Sequence, residues 1–399
     1  MISFILMKKN KKEEFIFAST ICGFKASRRP DLAIIYSSLP CVYAGVFTQN
    51  QVRAACVDED IRLLSKKKKI RAIVINSGNA NACTGKQGIQ AVKETKKIAA
   101  KLLNIHPDDV LVASTGVIGV PLDMVKMKAG LEKASSTLSA QNVKAAAKAI
   151  LTTDRFLKVF SKNTKSFKLF GFAKGAGMVH PNMATMLCYL MTDLKMPQSL
   201  LQRALREAVN ISFNNISVDG DISTNDMVVL LSNCQSQIEV KSKNDPVYKE
   251  FKKVLLDACW KLAKDMVRDG EGSQKIILVN VKGAKTGSDA RKIARSVASS
   301  TLFKCAVFGR DPNWGRALAR VGCTSVKIKP EKLDVALLNT FVYKNGQPVR
   351  FNPKKLHKQM KKNNEIKVSV NLKLGKKSGI AYGCDLSYDY VKLNSAYFT

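Results

Sequence analysis

Ala173-Lys-Gly-Ala-Gly-Met-Val-His-Pro-Asn-Met-Ala-Thr185-Met-Leu-Cys-Tyr-Leu-Met-Thr-Asp193 passes from a loop of glycine, proline and asparagine into an apolar, strand-like run that Thr185 opens. Two readings fit these residues. In one, a plain turn feeds a buried strand and Thr185 is merely its first residue. In the other, Thr185 is a nucleophile and something must take its proton. The chain has three histidines, His106, His180 and His357, which is little material for a Ser-His-Asp constellation. A cut between Ala184 and Thr185 removes the difficulty. The freed α-amine, with a reference pKa of about 7.7–8.0, then serves as base for the adjoining hydroxyl. Ala184 is small and lies next to the turn, which suits such a break.

Other segments could surround such a nucleophile. Val110-Leu-Val-Ala-Ser-Thr115-Gly116-Val-Ile-Gly119 runs from a strand into Thr-Gly. There a hydroxyl and a backbone N–H can both face a developing oxyanion, or the pair simply ends the strand in a turn. Ile75-Asn-Ser-Gly-Asn-Ala-Asn-Ala-Cys-Thr-Gly85 is dense in small residues, which suits a ligand approaching the backbone or only a tight loop. Arg268-Asp-Gly-Glu271-Gly-Ser-Gln-Lys275 sets one carboxylate between glycines just before a strand. An ammonium is a fitting partner for it, although glycine-flanked acids also form plain turns. Lys174 is the complementary point charge for a carboxylate.

Further out, strands and helices alternate. Ala72-Ile-Val-Ile-Asn76, Val110 to Ala113, Met227 to Leu231 and Ile276 to Val279 are short, β-branched and apolar on both parities, as buried strands are. Apolar residues recur at helical spacing in Ile89 to Leu103, Leu200 to Val209 and Val254 to Met266. Ala290 to Leu302 reads as a helix, Asp311-Pro312 as a helix start and Ile366 to Leu374 as a half-exposed strand. The fold class is therefore mixed α/β, with a C-terminal α/β domain from about Lys282 onward.

Composition bounds the function. At 399 residues and 46% hydrophobic, the chain buries a core without staples, and disorder and collagen-like repeats are excluded. Its ten cysteines show no C-x-x-C pair and read as reduced core thiols, and the histidines are too far apart for a zinc motif. No metal is expected. The opening MISFILM precedes its lysines, the reverse of an export signal, and no apolar run is long enough to span a membrane. A cytoplasmic protein is expected. Net charge is +35, from 66 Lys plus Arg against 31 Asp plus Glu. Lys66 to Lys69 and Lys354 to Lys362 are basic runs, but they lack the interleaved aromatics of a base-stacking platform and read as solvated faces. A nucleic-acid partner is thus not favoured.

Taken in order, these segments resemble the glutamate N-acetyltransferase family, also called ornithine acetyltransferase, of the bifunctional ArgJ type. The likeness includes Pro30 to Ala33, Ala44 to Thr48, Asn76 to Gly85, Ser114 to Gly119, Lys174 to Asp193, Asp269 to Gly272, Asp311 to Arg316 and Asn394 to Thr399. It implies a DmpA/ArgJ-like N-terminal-nucleophile fold that cuts itself between Ala184 and Thr185. The products are an α chain, 1–184, and a β chain, 185–399, with 282–399 as its C-terminal domain, and two such pairs form a heterotetramer.

The implied reaction is acetyl transfer from N-acetylornithine to glutamate through an acetyl-Thr185 ester, without cofactor. Some members also take acetyl-CoA, and no motif separates the two behaviours. Residue by residue, Thr115 and Gly116 match the oxyanion hole. Thr152, Lys174, Thr185, Glu271, Asn394 and Thr399 match the substrate contacts. Two rivals stay open at this point: an N-terminal-nucleophile aminopeptidase or amidohydrolase, and a basic nucleic-acid-binding protein.

Overall fold

A computed structural model describes residues 15–180 and 186–396. Ala184, Thr185 and Thr399 lie outside the described residues. In chain order the strands are β1 (Ile16–Thr20), β2 (Leu32–Phe47), β3 (Ile70–Asn79), β4 (Val110–Val117), β5 (Lys158–Asn163), β6 (Lys168–Lys174) and β7 (Leu187–Thr192). They continue with β8 (Ile216–Ser217), β9 (Met227–Ser232), β10 (Ile276–Ala284), β11 (Asp334–Leu337), β12 (Thr340–Lys344), β13 (Gln347–Pro348), β14 (Glu365–Asn371) and β15 (Lys377–Cys384).

The first sheet runs β4-β3-β2-β9-β7-β6-β5, with β1 also paired to β2. β2 is long enough to serve two neighbours: its first part pairs with β3 and its last part, Val42 to Phe47, with β9. β7 alternates with period two between covered faces. Cys188 and Leu190 pack with the helices Gln198–Ile211 and Pro246–Arg268, whereas Leu187, Tyr189 and Met191 meet residues of β3, β4 and the helix Ala55–Ser65. That double burial explains why Leu187 to Met191 of β7 and Met227 to Leu231 of β9 are apolar at every position rather than every second one. The register sets Lys174 beside Leu187, Leu187 beside Met227, and Met227 beside Phe47, so the ends of four strands form one row.

The second sheet runs β13-β12-β11-β14-β10-β15-β8. Ile277, Val279 and Val281 of β10 and Ile366, Val368 and Val370 of β14 share a core with the helices Gly287–Ala298 and Pro353–Lys362. β14 alternates buried and half-buried positions throughout, as a strand covered on one face does.

Some local expectations are corrected. The helix expected to begin at Asp311-Pro312 runs Trp314–Gly322 with Asn313 at its start, because the Trp314 amide bonds back to the Pro312 carbonyl in a tight turn. Cys83, Cys305 and Cys323 are exposed, so not all of the thiols belong to the core. The lysines of Pro353–Lys362 do form a solvated face, since only Leu356 and Met360 of that helix are buried. Among the described residues no helix is long and apolar enough to cross a membrane.

Candidate active site

The row of strand ends opens into a cavity of about 90 Å³ lined by Thr115, Gly116, Thr152, Lys174, Glu271 and Asn394 among others. Residues far apart in the chain therefore share one space, among them Thr115 near the end of β4 and Asn394 in the helix Tyr388–Ala396.

Each wall has a local cause. β3 and β4 are parallel, with Gly78 opposite Gly116. A Cβ on Gly116 would lie 2.3 Å from the Gly78 carbonyl carbon, and the backbone there has φ of +135°, so only glycine brings the two strands this close. Asn225 fixes the same corner: its side-chain amide donates to the Ala80 carbonyl at 2.7 Å and the Ser114 carbonyl at 2.9 Å.

Lys174 ends β6, and its ammonium donates to Thr152 Oγ1 at 3.1 Å. Burial pulls its pKa below that of an ordinary lysine, while Asp154, Asp226 and Glu271 favour its charged form. Glu271 follows the C-terminus of the helix Pro246–Arg268 and accepts from Asn394 Nδ2 at 2.9 Å. The chain at Gly177 passes so close that a Cβ there would stand 2.4 Å from the Glu271 carboxyl carbon.

The polar run 217–226, not singled out from the sequence, grips both flanks of the segment 181–185. Asp219 accepts the amides of Met178, at 2.5 Å, and Val179, at 2.8 Å, and burial pushes its carboxyl up to about 6. Asp226 Oδ1 accepts the Met186 amide at 2.9 Å, whereas its buried Oδ2 has no partner among the described residues. Burial raises the Asp226 carboxyl well above the usual range. The signal for this run was present in the sequence as hydroxyls and carboxylates placed directly before an apolar strand. Among the described residues no group of three or more His, Cys, Asp or Glu is arranged to hold a metal ion.

This site joins a hydroxyl and a glycine amide on one side to a lysine and a glutamate on the other. It suits acyl chemistry on a small zwitterionic molecule. The chain belongs to the ArgJ family, whose model matches residues 16–399. It is 44% identical over 393 residues to the arginine biosynthesis bifunctional protein ArgJ of Caldanaerobacter subterraneus subsp. tengcongensis, covering 96% of this chain and 97% of that one. The protein of the same name from a Synechococcus species is 42% identical, with 96% of each chain covered. Among solved structures, the ArgJ protein of Bacillus halodurans is 38% identical with a TM-score of 0.50, covering 51% of this chain and 96% of its own.

Proposed function

We propose that this chain is an acetyltransferase of arginine biosynthesis that moves the acetyl group from N2-acetylornithine to glutamate after cutting itself between Ala184 and Thr185. The observation that carries the reading is the single cavity that unites Thr115, Gly116, Thr152, Lys174, Glu271 and Asn394. The Met186 amide, adjacent in sequence to Thr185, is held by Asp226.

In the proposed mechanism the Thr185 hydroxyl gives its proton to its own α-amine and attacks the acetyl carbonyl. The Thr115 hydroxyl and the Gly116 N–H donate to the tetrahedral oxyanion. Collapse breaks the C–N bond, the amine returns the proton, and ornithine leaves. Glutamate's amine then attacks the acetyl-Thr185 ester, giving a proton to the Thr185 α-amine; the ester C–O bond breaks, that proton passes to the Thr185 oxygen, and N-acetylglutamate departs. Lys174 receives a substrate carboxylate, Glu271 receives an ammonium with Asn394 orienting it, and Thr152 and Thr399 complete the contacts. The α chain 1–184 and β chain 185–399 stay associated, with 282–399 as the second domain of the latter. Two pairs assemble as a cytoplasmic heterotetramer, and acetyl-CoA serves as a further donor.

Incubation with N2-acetylornithine and glutamate should give ornithine and N-acetylglutamate in equal amounts. Free acetate in place of acetylglutamate would mark a hydrolase instead. Acetyl-CoA with glutamate alone tests the second donor.

Gly177 offers a finer check on Glu271. Because the atom that crowds a new Cβ belongs to the end of a flexible side chain, Gly177→Ala should fold normally and turn the carboxylate aside. A hydrogen bond to a charged group contributes about 1.5–3 kcal/mol, so KM for the acetylornithine donor should rise at least tenfold with kcat little changed. Steady-state kinetics would show it, and an unchanged KM would remove Glu271 from ammonium binding.

A further inference from the structure

Behind the cavity lies a buried ionic group that the proposed mechanism does not use. The Lys158 ammonium sits 2.6 Å from Asp154 Oδ1 and 2.5 Å from Asp269 Oδ2, and all three side chains are fully hidden from solvent. Such charges persist in an interior only when paired and hydrogen-bonded, and here the carboxylate oxygens also accept backbone amides next to the site and the Arg155 guanidinium. Asp154 Oδ1 also accepts the amide of Gly175, the residue after Lys174, at 2.8 Å, and Asp154 Oδ2 accepts the Thr152 amide at 3.1 Å. Asp269 caps the end of the helix Pro246–Arg268 two residues before Glu271, and accepts the Arg155 amide at 3.0 Å and the Arg155 Nε at 3.1 Å. One carboxylate thus holds the Lys174 and Thr152 wall, the other holds the Glu271 wall, and Lys158 joins them.

We propose that the Asp154–Lys158–Asp269 triad is a positioning element that sets the separation of Lys174 and Glu271, and through it the side-chain length of the amino-acid substrate. The inference rests on the function proposed above, in which those two groups receive a substrate's opposite charges. A carboxylate site and an ammonium site on rigidly linked walls select for the number of methylenes between the charges, because a longer or shorter chain can satisfy only one of them. Lys174 itself faces Asp154, Asp226, Lys158 and Glu271, so the triad supplies two of the charges around it.

The test compares N2-acetylornithine with N2-acetyllysine, one methylene longer, as donors to glutamate. One methylene is typically worth about 10–200-fold in kcat/KM, and the unaltered enzyme should prefer the ornithine donor within that range. Asp269→Glu and Lys158→Arg keep every charge while lengthening one arm of the triad. Each should lower the preference about tenfold or more, through a higher KM for the ornithine donor and with kcat within a few-fold. Thermal unfolding identifies which variants fold, and either one that does carries the test. A folded variant with unaltered preference would overturn the ruler, as would an unaltered enzyme that uses both donors equally well while still making acetylglutamate. Failure of the unaltered enzyme to transfer acetyl from either donor would instead overturn the function on which the ruler rests.

Discussion

Thr185→Ala is expected to yield a single uncut chain and to lower acetyl transfer by at least about 10⁴-fold, since nucleophile and base vanish together. In an ordinary triad the base is a separate side chain, and loss of the nucleophile leaves it in place. In the proposed mechanism the base is the amine that exists only once the chain is cut, and the cut itself needs the hydroxyl. Thr185→Ser, which keeps a hydroxyl, should retain both fragments. Intact mass measurement and sequencing of termini would show the second chain, beginning Thr-Met-Leu-Cys-Tyr, in the unaltered protein and its absence in the alanine variant. Two fragments with undiminished turnover from Thr185→Ala would remove this threonine from both roles.

Much of the architecture was legible because the pattern of burial has the period of the element that produces it. Ile89 to Leu103 falls within the helix Gly85–Leu103, and the doubly apolar runs at Ala72, Val110, Met227 and Ile276 are strands covered on both faces or at their buried ends. The helix start at Asp311 was misplaced because two neighbouring turn formers, Pro312 and Asn313, compete for the same role, and the bond from the Trp314 amide decides between them.

The buried triad was illegible for a deeper reason. Asp154 and Lys158 gain a buried role only because Asp269, 111 residues beyond Lys158, closes the group from a helix end. Similarly, Asn225 and Asp226 gain their meaning only from β3, β4 and Met186, which the fold delivers. Cavity residues that could be named from the sequence were those whose chemistry is local, such as Thr115-Gly116 and the glycine-flanked Glu271. Those that support them at a distance could not.

Thr115→Val should lower kcat by about 10²–10³-fold and leave KM nearly unchanged. Valine matches threonine in shape and β-branching, and Thr115 lies near the end of β4 with 6% exposure, so the strand should tolerate the exchange. In the proposed mechanism what is lost is one of the two donors to the oxyanion. Removal of a single such donor costs about 2.7–4 kcal/mol in the transition state, while the ground-state carbonyl, being uncharged, loses little. The Gly116 N–H would remain, because its direction is set by a backbone conformation that the Gly78 contact enforces. Substrate charges, assigned above to Lys174 and Glu271 as a proposal, would be met as before, which keeps KM steady. Measured kcat within threefold of the unaltered enzyme would mean that the oxyanion develops against other donors, and the wall formed by β3 and β4 would then be structural.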